Sequence, residues 1–211
     1  MAATRSEIEA PLFRGEALAL RSAVESRRRE FITGRACARE ALGGLGLPAT
    51  AVLVDAFGAP RWPVGVVGSI THCTGYRAAA VGRATDFAAI GIDAEPNLRL
   101  PAGVLGAIAL PVERERVGRL LHEAPGPCWD RLLFSAKEAV FKAWYPMTGA
   151  KPDFHHAEVT FELESGRFRV RLRGPHRSPR GNPSRLVGRW AVAAGILATA
   201  IALSRPCRGT S

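Results

Sequence analysis

The chain has 211 residues, a length that suits one domain or two small lobes. Its 47% hydrophobic and 23% charged residues are close to globular averages, which excludes a disordered or fibrous chain. The formal net charge is +10, but 26 of the 29 basic residues are arginines. Such a bias is typical of a GC-rich genome, so the charge permits an anionic partner without identifying one.

Cysteine usage and the first residues predict the compartment. The four cysteines, Cys37, Cys73, Cys128 and Cys207, form no CxxC pair. The sequence MAATRSEIEA contains no apolar signal-peptide region. We therefore expect reduced thiols in a cytoplasmic protein, and neither a disulfide framework nor a zinc site.

In the first half, hydrophobic spacing predicts a helix over 16–46, with one side rich in arginine, and a turn-rich stretch over 55–68. Two apolar runs, 77–82 and 87–92, are predicted to form a pair of strands. Prolines at 96 and 101 make 96–103 the best candidate for a linker. The arginines on the polar side of the helix are Arg27, Arg28, Arg29, Arg35 and Arg39.

In the second half, the pattern predicts a helix over 111–121 and a stronger one over 129–144, ended by Pro146. The first of these presents a charged, exposed face that includes Glu113. Alternating polarity predicts a hairpin of 158–163 with 168–172, followed by a polar loop over 174–185. The apolar run 190–203 is too short to span a membrane and is predicted to be one buried strand.

The first set of residues with chemical potential is IGIDAE, where Asp93 and Glu95 end an apolar strand. In extended backbone, residues two apart point to the same side, so both carboxylates can hold Mg²⁺ together. The alternative is an ordinary strand end with solvent-facing acids.

The second set is FSAKEAVFK, which carries Lys137, Glu138 and Lys142. Two of the three lysines of the chain lie here, and lysine provides a compact charge that arginine does not replace at a phosphate. Glu138 can act as a metal ligand or a general base. The alternative is a simple helical ion pair between Glu138 and Lys142, four residues apart.

The third set is GSITHC, in which Thr71 and His72 offer donors to phosphate oxygens beside an exposed backbone at Gly68. The Walker A pattern is absent. A structural histidine is one alternative. A Cys73–His72 thiol dyad is another, although neighbouring residues of a strand rarely point at one another.

The order of these motifs is more specific than any one of them. An arginine-rich helix, a GAPRWP turn, S-x-T-H, IGIDAE and FSAKEAVFK together resemble the 4′-phosphopantetheinyl transferases, in the two-lobed class of siderophore, polyketide and nonribosomal peptide synthesis. The similarity runs from about Arg27 to Phe161, and 188–203 is similar to the closing strand of the family. Phe134 stands where tryptophan is commonest, and residues 54–57 lack the lysines found near the adenine site.

This resemblance implies an enzyme that uses Mg²⁺ to transfer the phosphopantetheine arm of coenzyme A to a serine of an apo acyl or peptidyl carrier protein, releasing 3′,5′-ADP. The metal would be held by Asp93, Glu95 and Glu138, and Glu138 could also take the serine proton. The resemblance assigns the coenzyme A contacts to Lys137, Lys142, Thr71, His72, Arg27 and Arg35, with Asp93 reaching the diphosphate through the metal. Arg28 or Arg29 could replace Arg27 at the 3′-phosphate.

The resemblance also implies an α+β fold of two similar lobes related by a pseudo-twofold, each a helix packed on a small antiparallel sheet, with the site between them. We expect an N-terminal lobe of 1–103, a C-terminal lobe of 104–211, a monomer, and no binding to nucleic acid or membrane. Two rivals are a non-enzymatic basic protein that binds nucleotides or RNA and a different Mg²⁺-dependent hydrolase of coenzyme A or nucleotides. Aromatic residues are only 7% and no RNP-type pattern is present, which disfavours the RNA binder.

Overall fold

A computed structural model describes residues 1–150, 153–173 and 184–205. Helices and antiparallel sheets alternate in blocks along the chain, so the predicted α+β class is confirmed. The helices are α1 (Arg14–Leu18), α2 (Glu25–Gly43), α3 (Val104–Ile108), α4 (Pro111–Glu123) and α5 (Trp129–Thr148). The strands are β1 (Ala2–Thr4), β2 (Leu53–Val54), β3 (Pro60–Arg61), β4 (Val66–Cys73), β5 (Tyr76–Arg83), β6 (Phe87–Pro96), β7 (Ala157–Glu162), β8 (Arg167–Leu172), β9 (Arg185–Ala193) and β10 (Ile196–Ser204).

The chain divides into two compact units, and the division falls at 90/91 rather than at the expected 103/104. The first unit is Met1–Ile90 with the C-terminal residues from Ala202, and the second is Gly91–Ile201. The prolines at 96 and 101 do mark a break, since β6 ends at Pro96. Strand β6 nevertheless pairs with β10, so the residues just before that break belong mainly to the second unit. The expected twofold relation of the lobes stays a prediction.

In the first unit, α2 packs on an antiparallel sheet of strand order β1-β5-β4. Small and apolar side chains fill the contact, and the residues that form this core are Ala2, Cys37, Ala38, Ala41, Leu42, Val52 and Ala79. The predicted continuous helix over 16–46 is wrong, because residues 19–22 form turns and Val24 is extended immediately before α2. Strands do cover both 77–82 and 87–92, but they do not pair. Both edges of β5 are occupied by β1 and β4.

In the second unit, α5 packs on a five-stranded sheet of order β6-β10-β9-β8-β7. Trp129 at the start of α5 contacts the rings of Phe161 and Trp190, and Ser135 shares a hydrogen bond of 2.9 Å with Thr199. The predicted hairpin is confirmed as β7 paired with β8. Pro146 does not end α5, which continues to Thr148 and is capped by Gly149 in the left-handed conformation.

The apolar run 190–203 is a hairpin rather than the single strand predicted. Ala194 and Gly195 have φ values of 49° and 77°, which reverse the chain between β9 and β10 in a two-residue turn. Among the described residues, no helix is long and apolar enough to cross a membrane. Most of the predicted polar loop, residues 174–183, and Cys207 lie outside the described residues, and Cys37, Cys73 and Cys128 are free thiols.

Candidate active site

The carboxylates of the IGIDAE motif lie near the end of β6, and each is bound by a cation of α5. Asp93 is 5% exposed, and its Oδ1 accepts a hydrogen bond of 2.6 Å from Lys142 Nζ. Glu95 Oε2 accepts one of 3.1 Å from Arg131 Nη1. Helix α5 can approach this strand closely because Gly91 has no side chain, and a Cβ there would lie 2.0 Å from the Ala139 carbonyl oxygen. The two motifs are therefore adjacent within the second unit.

Glu138 adds a third acidic group to this cluster. Burial raises the pKa of the Glu138 carboxyl; Lys142 opposes this rise, while the negative charges of Asp93 and Glu95 add to it. Burial likewise raises the pKa of Glu95, with a further contribution from Asp93 and an opposing one from Arg131. Burial and neighbouring negative charge thus disfavour the ionised forms of Glu95 and Glu138. We call Asp93, Glu95, Glu138 and Lys142 the acidic cluster.

The chemistry of this cluster fits a divalent cation. In the part of the chain that the structure describes, no three His, Cys, Asp or Glu side chains are arranged around one point as metal ligands. Asp93 and Glu95 are instead neutralised in part by Lys142 and Arg131. Mg²⁺ prefers hard carboxylate oxygens, which are the donors that this cluster offers, and burial raises the pKa of Glu95 and of Glu138.

Lys137 does not join the acidic cluster. Its side chain is 1% exposed, and its ammonium lies 2.8 Å from Glu113 Oε2. It also donates to the carbonyl oxygens of Phe154 and Ala157, at 2.7 and 2.8 Å. All three of its donors therefore have partners inside the second unit, and the expected phosphate contact of Lys137 stays a prediction. Burial lowers the pKa of Lys137, and the hydrogen bond and charge of Glu113 oppose that effect.

Glu113 was expected on the exposed face of its helix, and that expectation is wrong. It is 1% exposed, and its carboxylate accepts hydrogen bonds from the backbone N–H groups of Leu110 and Val159 as well as the ammonium of Lys137. The capping role of Glu113 could have been predicted from sequence. A glutamate two residues after Pro111 occupies the third position of a helix, where its side chain can cap the N-terminus.

A second polar cluster lies in the first unit, where α2 meets β4. Arg27 Nη1 donates to His72 Nε2 at 2.6 Å, and His72 Nδ1 faces Glu30 Oε2 at 3.3 Å. Arg28 instead donates to the Leu20 carbonyl, and Arg29 bonds to Glu25. Of the three neighbouring arginines, the structure therefore brings Arg27 to His72. The side chain of Arg27 is 52% exposed, so this cluster is open to a ligand.

Arg35 and Thr71 are buried rather than presented beside Arg27 and His72. Arg35 is 5% exposed, donates through Nε to the Val52 carbonyl at 2.7 Å, and covers the ring of Phe31. Burial lowers its pKa to about 10. Thr71 is 2% exposed and, as the neighbour of His72 on one strand, points to the opposite face of the sheet. The same alternation separates Cys73 from His72, which removes the geometry of the thiol dyad.

Two family models match this chain, one in each half. The family model of the 4′-phosphopantetheinyl transferase N-terminal domain matches residues 15–82, and that of the 4′-phosphopantetheinyl transferase superfamily matches residues 89–194. The chain belongs to this superfamily. The first match contains Arg27 and His72, and the second contains the whole acidic cluster. Members of the family are transferases and use coenzyme A as a substrate.

Individual relatives give the same result. The chain is 52% identical to the 4′-phosphopantetheinyl transferase Svp of Streptomyces mobaraensis over 198 residues, which is 92% of this chain and 80% of the relative. It is 48% identical to the 4′-phosphopantetheinyl transferase PptT of Mycobacterium tuberculosis over 193 residues, 89% of this chain and 84% of the relative. The enterobactin synthase component D of Salmonella typhi is 33% identical over 141 residues, 67% of this chain and 58% of that protein.

Sequence patterns did not identify three charged partners of the predicted site residues. Glu30 joins Arg27 and His72, Arg131 holds Glu95, and Glu113 holds Lys137. Only Glu113 has a recognisable local signal, its helix-capping position. Glu30 and Arg131 belong to helices rich in charged residues, and nothing in their spacing distinguishes them from surface side chains.

Proposed function

We propose that the chain transfers 4′-phosphopantetheine from coenzyme A to a serine of an apo acyl or peptidyl carrier protein. The serine oxygen forms a bond to the phosphorus that bears the pantetheine. The bond from that phosphorus to the bridging oxygen of the diphosphate breaks, and 3′,5′-ADP leaves with this oxygen. Phosphoryl transfer of this kind depends mainly on positioning and on charge stabilisation.

The acidic cluster is the observation that carries the proposal. Lys142 and Glu138 lie one helical turn apart on α5, and Lys142 Nζ reaches Asp93 on β6. This places a compact cation for the diphosphate beside carboxylates that can receive a proton. Glu138 is the residue that we propose as general base for the serine hydroxyl, since it is the carboxylate of the cluster that lies one helical turn from Lys142.

We propose Mg²⁺ as the cofactor, with Asp93, Glu95 and Glu138 as the residues that would hold it. When bound, the metal neutralises the negative charge of the diphosphate and favours departure of the nucleotide. The support is the donor set itself, three carboxylates of one cluster, two of which, Glu95 and Glu138, have pKa values raised by burial and by neighbouring negative charge.

For the 3′-phosphate of coenzyme A we propose Arg27 and His72. Both side chains are partly exposed, and the guanidinium of arginine suits bidentate contact with a phosphate. Arg35, Thr71 and Lys137 are not included in this proposal, because each is buried in this structure.

We also propose that the enzyme acts as a monomer in the cytoplasm, on carriers of siderophore, polyketide or nonribosomal peptide synthesis. The similarity to an enterobactin synthase component supports this class of carrier. Sedimentation velocity at micromolar concentration tests the monomer.

The decisive experiment incubates the chain with coenzyme A, Mg²⁺ and an apo carrier protein and measures the intact mass of the carrier. A gain equal to phosphopantetheine is expected for at least one of several fatty-acid, polyketide and peptide carriers. Asp93→Ala is expected to abolish this gain. Asp86→Ala, the same substitution at an exposed residue just before β6, is the matched control and should retain full activity.

The same experiment separates the rival functions. Release of 3′,5′-ADP without a carrier would indicate a hydrolase. Absence of any mass gain on every carrier, together with tight binding of a short RNA, would indicate a nucleic-acid binder. Either result would contradict the transferase function.

A further inference from the structure

We infer that Lys137 is a positioning residue, which together with Glu113 fixes the rotation and depth of α5 so that Glu138 and Lys142 face Asp93. This inference rests on the proposed function, because it concerns the geometry of the same reaction. It gives Lys137 a task other than contact with the substrate phosphates.

All three N–H donors of Lys137 already have acceptors within the protein. An ammonium has three N–H donors, and those of Lys137 meet Glu113, the Phe154 carbonyl and the Ala157 carbonyl at 2.7–2.8 Å. A phosphate could be bound only after one of these contacts was broken. Because the side chain is 1% exposed, such a break would also leave a buried acceptor without its partner.

The ion pair of Glu113 and Lys137 connects three elements of the second unit. Glu113 lies in α4 and also accepts the backbone N–H of Val159 in β7, whereas Lys137 lies in α5. The carbonyl partners of Lys137 lie at the segment that leads into β7. One buried pair thus joins two helices and an edge strand of the sheet. A shift of α5 along its axis would break several of these bonds at once.

The geometry of α5 relates the direction of Lys137 to those of Glu138 and Lys142. Consecutive residues are separated by about 100° around a helix axis, so a lysine held in the interior turns its neighbour Glu138 toward another side. Lys142 follows Glu138 by four residues and lies on that same side. Fixing Lys137 therefore fixes the direction of both functional side chains.

A buried ion pair contributes little net stability, since apolar residues of similar volume are often as stabilising. The best-supported advantage of a buried ion pair is that it specifies one packing arrangement of the elements that it joins. This agrees with a role in alignment beside the acidic cluster.

The test compares Lys137→Met, Glu113→Gln and the double variant, measured as kcat and KM for transfer to an apo carrier and as the Kd of coenzyme A by titration calorimetry. For Lys137→Met we expect kcat to fall at least ~10-fold while the Kd of coenzyme A stays within about twofold. Lys142→Met is the matched comparison on the same helix, and its Kd for coenzyme A should rise.

Rescue distinguishes positioning from substrate contact. Glu113→Gln should recover at least about threefold in kcat when combined with Lys137→Met, because the double variant no longer buries an unpaired carboxylate. A lysine that contacted phosphate could not be rescued in this way. If Lys137→Met does not fold, Glu113→Gln alone should show the lowered kcat at unchanged Kd, since its amide no longer neutralises the lysine.

Three results would overturn the inference: a raised Kd of coenzyme A in Lys137→Met like that of Lys142→Met, an unchanged kcat in folded Lys137→Met, or a double variant no better than Lys137→Met. A wild-type chain that transfers nothing to any carrier would instead overturn the proposed function, and this inference with it. The two failures are therefore distinguishable from the wild-type measurement.

Discussion

Gly91→Ala should be among the most damaging single-methyl additions in the chain. A Cβ at this position would lie 2.0 Å from the carbonyl oxygen of Ala139 and 2.7 Å from the backbone nitrogen of Ala143. Both contacts are to helix backbone, so no flexible side chain can move aside. Either β6 or α5 must shift for the methyl group to fit.

The expected cost follows from this geometry. Extra methyl groups in a packed core usually lower the free energy of unfolding by about 1–3 kcal/mol. Because the clash here is with backbone atoms at close distance, we expect a loss of about 3 kcal/mol or more. For a chain of this length each kcal/mol lowers Tm by ~2–4 °C, so we expect a fall of roughly 6–12 °C. Transfer activity should fall further than stability alone explains, because Asp93 lies two residues from the clash and must stay beside Lys142.

Circular-dichroism melting of Gly91→Ala and Gly118→Ala tests this expectation. Gly118 lies inside α4, and a Cβ there would meet nothing within 4 Å. Its replacement by alanine should be neutral or stabilise the protein by up to ~1 kcal/mol, because alanine favours the helix. If Gly91→Ala melted with the wild-type protein, the close approach of strand and helix described above would be refuted.

Four further outcomes are expected. Glu138→Gln should raise Tm at neutral pH, because burial raises the pKa of this carboxyl and its ionised form therefore costs stability. The difference in Tm between the variant and the wild-type protein should vanish on acidification toward the ordinary glutamate pKa, where the wild-type group is protonated. A difference in Tm that stayed constant over that pH range would contradict this expectation. Lys142→Ala should lower kcat/KM for coenzyme A at least ~10-fold, with Lys142→Arg still impaired, and wild-type kinetics in either would exclude a phosphate contact. Arg27→Ala should raise KM for coenzyme A and Arg29→Ala should not; equal effects would mean that the contact of Arg27 with His72 does not select the ligand. The KM for an acidic carrier should rise with salt more steeply than that for a neutral serine peptide, whereas equal slopes would indicate that the charge of +10 has no role in encounter.

The sequence by itself determined the family, and it predicted the acidic residues of the candidate site. Asp93 and Glu95 could be predicted to act together, because extended backbone places residues two apart on one side. Glu138 and Lys142 were readable because helical spacing makes residues four apart neighbours. These are local rules, and they need no knowledge of what packs against the element. The same rules predicted the hairpin of β7 and β8 correctly.

Errors arose where a partner distant in sequence decides the outcome. The apolar runs 77–82 and 87–92 are both strands, but only the sheet order shows that β1 and β4 occupy the edges of β5. A local turn was also missed: Ala194 and Gly195 divide the run 190–203, and a non-glycine residue with positive φ at the first turn position has no sequence signal.

The tertiary structure alone decided which charged side chains are functional candidates and which are buried and paired within the fold. Arg27 and Arg35 lie on the same helix, yet one reaches His72 at a partly exposed site and the other is buried against Phe31. Lys137 and Lys142 share one motif, but the first is enclosed by Glu113 and two carbonyl oxygens while the second reaches Asp93. The physical reason is that the hydrogen bonds that distinguish these side chains join residues 17 to 49 positions apart, and no local pattern records them.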